Sequence, residues 1–135
     1  MGVKEKAKEL HDSGFNCAQA VLGACGKYSG LDHITAMNVA GALGGGVRCG
    51  EICGAVSGGA IVLSCAFPHN DSSRPQDKAR ISEMTKRYAE AFNEKFGCIR
   101  CEDLKNNNCN CTELIEFCAE LAEDRVINYK EEEYL

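Results

Sequence analysis

The chain has no tryptophan, only two prolines, and aromatic residues at just 7% of its 135 positions. A chain this short of large rings must build its core from aliphatic and small side chains. There is no excess of positive charge either. Fifteen Lys and Arg stand against twenty Asp and Glu, a net charge of −5. That balance excludes a surface built to hold a nucleic-acid backbone, which needs basic residues. The uncharged run from Ile52 to Asn70 is broken by glycine, serine, proline and asparagine, so it reads as a buried helix and not as a membrane span. The three histidines, His11, His33 and His69, do not pair at ligand spacing. The glycine-rich "GALGGGVRCG" follows a helical pattern and lacks the lysine of a phosphate loop, which excludes a nucleotide cradle.

What the chain has is thiol: ten cysteines in 135 residues, with fourteen glycines beside them. A domain of this length can bury enough surface to fold without staples. The first residues, "MGVKEKAKELHDSG", show neither an apolar leader core nor a cleavage pattern. We therefore expect a cytoplasmic, reducing setting, where dense cysteine means metal binding or redox chemistry and not structural disulfides. The acidic end "YKEEEYL" reads as a solvated tail.

Periodicity is helical nearly throughout, and no alternating stretch demands a strand. The expected fold is all-α, a single-domain bundle of about five or six helices with a Cys-rich loop, spanning residues 1–135. Asn16 and Asp32 are caps for two helices. A helix lined with small residues runs from about Cys53 to Phe67. The clearest helix runs from about Pro75 to Phe96, with Ile81, Met84, Tyr88, Ala91 and Phe92 as its apolar stripe. Gly97 ends it, and the loop "GCIRCEDLKNNNCNC" follows. The last helix opens near Thr112, with Leu114, Cys118 and Leu121 facing inward.

The cysteines sort by context. Cys17 follows a cap and Cys53 sits at or near another helix start. Exposed amides and the helix dipole there favour thiolate over thiol. Cys118 lies on an inward stripe, and Cys101 is carried by the loop. Cys25 and Cys65 sit among small apolar residues, where free cysteine packs as a small hydrophobe. Cys49 is either an extra thiol near Cys53 or a plain loop cysteine. Cys98-x-x-Cys101 followed by Cys109-x-Cys111 has the close spacing of a second metal site at Cys98, Cys109 and Cys111. A solvated polar loop is the equal alternative. Arg48 is either a charge partner for a thiolate or a surface arginine. Gly54 and Gly58 share one side of their helix, which predicts a close neighbour carrying Cys17 or Cys118.

With these residues in hand, the sequence resembles the C_GCAxxG_C_C family of redox-active proteins, small bacterial and archaeal chains named for four cysteines and a small-residue motif. "FNCAQAVL" resembles its first segment and picks out Cys17. "GGGVRCGEICGAVSGG" resembles its glycine-rich segment and Cys-Gly-Ala-x-x-Gly motif, at Cys53. "CEDL" resembles the third position, Cys101, and "EFCAELAED" the fourth, Cys118. The resemblance implies an all-helical fold and a redox role. A related domain in iron–sulfur multihaem cytochromes extends that to a cluster; the chain has no C-x-x-C-H haem attachment site.

Three functions follow as expectations. The leading one is electron transfer through an iron–sulfur cluster or other thiophilic metal held by Cys17, Cys53, Cys101 and Cys118. The second is a metal-free thiol/disulfide oxidoreductase with Cys17 or Cys53 as the attacking thiolate. The third is a structural zinc or metal-handling module. A redox partner protein is implied by the first two. A homodimer is expected from the many alanine and glycine faces.

Overall fold

The structure is a computed structural model that describes residues 1–130. The end of the acidic tail, residues 131–135, lies outside the described residues.

The fold is all-α. Six helices of eight residues or more make the bundle: α1 (Val3–Asp12), α2 (Cys17–Ala24), α4 (His33–Ala40), α5 (Gly54–Ala66), α6 (Pro75–Phe96) and α8 (Cys111–Ile127). Two short ones, α3 (Gly26–Ser29) and α7 (Cys101–Asn106), join them. Among the described residues the only strand-like pairing is an isolated antiparallel bridge between Ile52 and Arg100. No helix is long and apolar enough to cross a membrane among the described residues.

The caps act as their residue types dictate. The Asn16 side chain accepts from the Gln19 amide while the Gln19 side chain accepts from the Asn16 amide, a full capping box. Asp32 accepts from Thr35 N–H and starts α4. Pro75 opens α6, and Gly97 closes it in the left-handed conformation. The helix that Asn16 caps is short, because Cys25 leaves helical geometry at φ −100° and ψ 24° and the chain restarts as α3. One expectation needs correcting: the Cys-rich loop is not all loop, since it contains α7.

The small residues place α5 at the centre, in contact with α2, α3, α6 and α8. A Cβ built on Gly58 would come within 2.6 Å of the Ala18 carbonyl oxygen and 3.1 Å of Ala18 Cα. The neighbour expected at Gly58 is therefore the helix carrying Cys17. The core is Ala18, Val21 and Leu22 of α2, Ala55, Val62 and Leu63 of α5, Met84, Tyr88 and Phe92 of α6, and Ile115, Cys118 and Ala119 of α8. Only three of the twenty-two residues of α6 are buried, so this helix lies over the outside of the bundle.

Candidate functional site

Four cysteines stand at helix starts. Cys17, Cys101 and Cys111 are the first residues of α2, α7 and α8, and Cys53 is the N-cap of α5. All four line one small apolar cavity, together with Cys109, Leu104, Lys105 and Leu114. The space inside it, about 20 Å³ for the centre of a water-sized sphere, is that of one water molecule.

Local structure brings these starts together. Before Cys53 the chain makes a tight turn in which Gly45, Gly46, Val47 and Arg48 are all left-handed, with φ between 58° and 67°. Left-handed geometry costs a β-branched valine more than almost any other residue. Gly46 has no alternative, because a Cβ there would run into the Glu51 backbone. The turn is pinned by Arg48, whose guanidinium donates to the Gly41 carbonyl at 2.8 Å. That bond answers the question about Arg48: it holds backbone. The segment then pairs with the start of α7. Cys53 N–H donates to the Ile99 carbonyl at 2.8 Å, and Cys101 N–H donates to the Glu51 carbonyl at 2.6 Å. This two-bond clasp sets Cys53 beside Cys101. Arg100 adds exposed ion pairs to Glu51 and Glu102 at 3.1 and 2.9 Å, worth little in water. On the other side the Cys17 sulfur rests where a Gly54 side chain would be, so Gly54 is the residue that lets the two thiols approach.

The electrostatics tie the same set together. Burial pushes the Cys53 thiol up to about 11, and the Ala55 and Val56 amides pull the other way. Charge on Cys17 or Cys101 would push it further. Those two amides face the sulfur without closing a full cap hydrogen bond, as suits a neutral thiol, which is a weak acceptor. Cys101 is raised by burial as well, opposed by the nearby Lys105 ammonium and reinforced by Cys17 and Cys111. The helix starts do not, on their own, turn these thiols into thiolates; desolvation outweighs the dipoles.

The other cysteines lie elsewhere. Cys118 is fully buried two turns beyond Cys111. It does not line the cavity; it sits behind it, close enough for charge on Cys53 or Cys17 to act on it, and bonded to the Tyr88 hydroxyl. Its thiol is raised, chiefly by burial. Cys25 is also fully buried. It donates to the Ala119 carbonyl at 3.7 Å, and burial lifts it to about 12. Cys65 is half-buried and raised by desolvation. Cys49 is exposed on the left-handed turn, its thiol against the Gly46 carbonyl. Cys98 accepts from the Asn107 side-chain amide at 3.8 Å. Neither lines the cavity. Of the second set expected at Cys98, Cys109 and Cys111, two members thus share the cavity of Cys17, Cys53 and Cys101. Local sequence offers one signal for Cys111, its place at the start of the last helix, but that alone does not choose it over Cys118.

All ten cysteines are free thiols. Among the described residues no three His, Cys, Asp or Glu side chains are gathered tightly enough to hold one metal ion. The donor chemistry suits a thiophilic group, and the side chains would have to rearrange to hold it.

The chain is thus a helical bundle with cysteines at four helix starts around one apolar cavity. Residues 15–125 match the family described as "Putative redox-active protein (C_GCAxxG_C_C)", and the chain belongs to that family. No curated protein and no solved structure matches it.

Proposed function

We propose that the cavity is a thiolate site for an iron–sulfur cluster or another thiophilic metal, serving electron transfer, with Cys17, Cys53, Cys101 and Cys111 as its ligands. The observation that supports this most is the meeting of four helix-start thiols at one apolar cavity. Four thiolates are the usual complement of such a group. The sequence reading takes Cys118 as the fourth ligand; the lining of the cavity favours Cys111, with Cys109 beside it.

Desolvation at Cys53 and Cys101 favours a ligand role for them over a nucleophile role. A free attacking cysteine needs its thiolate near neutral pH. Cys53 and Cys101 are shifted the other way, and among the described residues Lys105 is the one ammonium lining the cavity. Held by these cysteines, a thiophilic cation would supply the missing positive charge and favour their thiolate form. When bound, a cluster would accept and release single electrons. The protein's own part is to exclude water through Leu104 and Leu114, to aim the helix-start amides at the sulfurs, and to keep Cys17 and Cys53 close across Gly54.

The metal-free oxidoreductase has one observation behind it, the approach of Cys17 to Cys53. In that reading the two thiols would give two electrons and two protons to a disulfide substrate and become a disulfide themselves. Anaerobic purification with iron, sulfide and zinc analysis separates the readings. We expect bound iron or another thiophilic metal in the wild type and its loss in Cys53→Ser. A colourless, metal-free protein that forms a reversible Cys17–Cys53 disulfide would replace the first reading with the second.

A further inference from the structure

We propose that Tyr88 is a positioning residue for Cys53, acting through the peptide groups of the first turn of α5. The inference rests on the thiol-site reading above and concerns how that site is tuned.

Tyr88 reaches in from α6 and is fully buried. Its single hydroxyl proton is shared between the Val56 carbonyl at 3.0 Å and the Ala55 carbonyl at 3.3 Å. It lies against Gly59, where any Cβ would run into the phenol. Both carbonyls belong to peptide groups that serve Cys53. The Ala55 carbonyl shares its peptide with the Val56 N–H, which faces the Cys53 sulfur. The Val56 carbonyl shares its peptide with the Ser57 N–H, which donates to the Cys53 carbonyl at 3.1 Å. A donor on a carbonyl makes the N–H of the same peptide a stronger donor, because linked hydrogen bonds polarise one another. Tyr88 thus strengthens the bonding at both the sulfur and the carbonyl of Cys53 while touching neither.

Packing does not require the hydroxyl. Phenylalanine would fill nearly the same space and avoid burying a polar group. Carbonyls inside a helix already have N–H partners four residues on. The Cys118 thiol, itself behind Cys53, also lies at the hydroxyl. Gly59 is the accommodation that lets the oxygen in.

Amide NMR of the reduced, metal-free protein tests this directly. In Tyr88→Phe the Val56 and Ser57 amide protons should move to lower chemical shift, with amides near Ala66 unmoved. Replacing Tyr88 by 3-fluorotyrosine, a stronger donor of nearly equal size, should move them the opposite way. With Co2+ as probe, Tyr88→Phe should shift the sulfur-to-cobalt charge-transfer band to longer wavelength at unchanged stoichiometry. Val56 and Ser57 shifts that agree in all three proteins would overturn the proposal. So would amide shifts that move while the cobalt band stays in place. If Tyr88→Phe does not fold, the fluorotyrosine protein decides. If the wild type binds no Co2+, the metal reading fails, and the amide shifts alone decide the role of Tyr88.

Discussion

Cys111 and Cys118 lie on the same helix, seven residues apart, and live in different worlds. Cys111 is exposed at the first residue of α8 and lines the cavity. Cys118, two turns on, is sealed in the core against Tyr88. Helical phase is the same for both, so phase does not separate them. Position along the helix does. A residue in the middle of an inward stripe meets the sides of other helices and becomes core. A residue at the start of a helix meets the starts of others, where unpaired amides gather and the backbone leaves room. Cys17, Cys53, Cys101 and Cys111 are all of the second kind.

The sharpest way to break this comparison is to exchange serine for each in turn. Cys111→Ser should cost Co2+ or Cd2+ affinity more than the roughly 10–100-fold that loss of a supporting outer partner costs. It should hardly change stability, since an exposed site usually moves by less than about 0.5 kcal/mol. Cys118→Ser should do the reverse: about 1–3 kcal/mol lost from a more polar group in a tight core, with metal stoichiometry kept. Titration of metal into both variants, with urea unfolding alongside, reads both quantities. If Cys118→Ser loses the metal and Cys111→Ser keeps it, the ligand set is Cys17, Cys53, Cys101 and Cys118, and the helix-start argument falls.

The same contrast explains what could be read in the sequence. Caps, breakers and stripes are local, so Asn16, Asp32, Pro75 and Gly97 marked helix ends correctly, as did the small-residue face of α5. The short helix α7 carries no strong local signal; its start is fixed by the Glu51–Cys101 clasp. Cys17, Cys53 and Cys101 could be singled out by context and family resemblance. The choice between Cys111 and Cys118 rests on how four segments converge, which no single segment contains. The left-handed run through Val47 and Arg48 is equally hidden, since neither residue favours that geometry.

A smaller effect probes the ground between the two sets, at Gly58. Helix propensity alone makes Gly58→Ala mild or helpful. The structure reverses that expectation, because the added carbon would meet the rigid backbone of Ala18 at 2.6 Å. We expect Gly58→Ala to destabilise, and Gly58→Leu to do so by roughly 1–3 kcal/mol. Both should push α2, and with it Cys17, away from α5. Metal affinity should therefore fall further than the loss of stability measured by thermal unfolding accounts for. If Gly58→Leu retains wild-type stability and metal binding, α2 and α5 do not need their close approach.

The smallest effect is spread over alkaline pH and touches one thiol of each set. Burial raises Cys25 from 9.0 to about 12 and Cys53 from 9.0 to about 11. In the unfolded chain both thiols would ionise near their ordinary value. A raised thiol contributes stability that is fully present below the unfolded value and is lost as pH climbs toward the folded one. Between about pH 9 and 11 the unfolded chain binds fewer protons than the folded one, so stability must fall as pH rises. Each such thiol contributes at most about 1.4 kcal/mol per pH unit. Urea unfolding of metal-free protein at pH 8, 9, 10 and 11 should show that decline, and Cys25→Ala should flatten it by about one thiol's share. The slope, not the starting stability at pH 8, is what decides. An unchanged slope in Cys25→Ala would mean that Cys25 reaches water more readily than its packing against Ala119 allows.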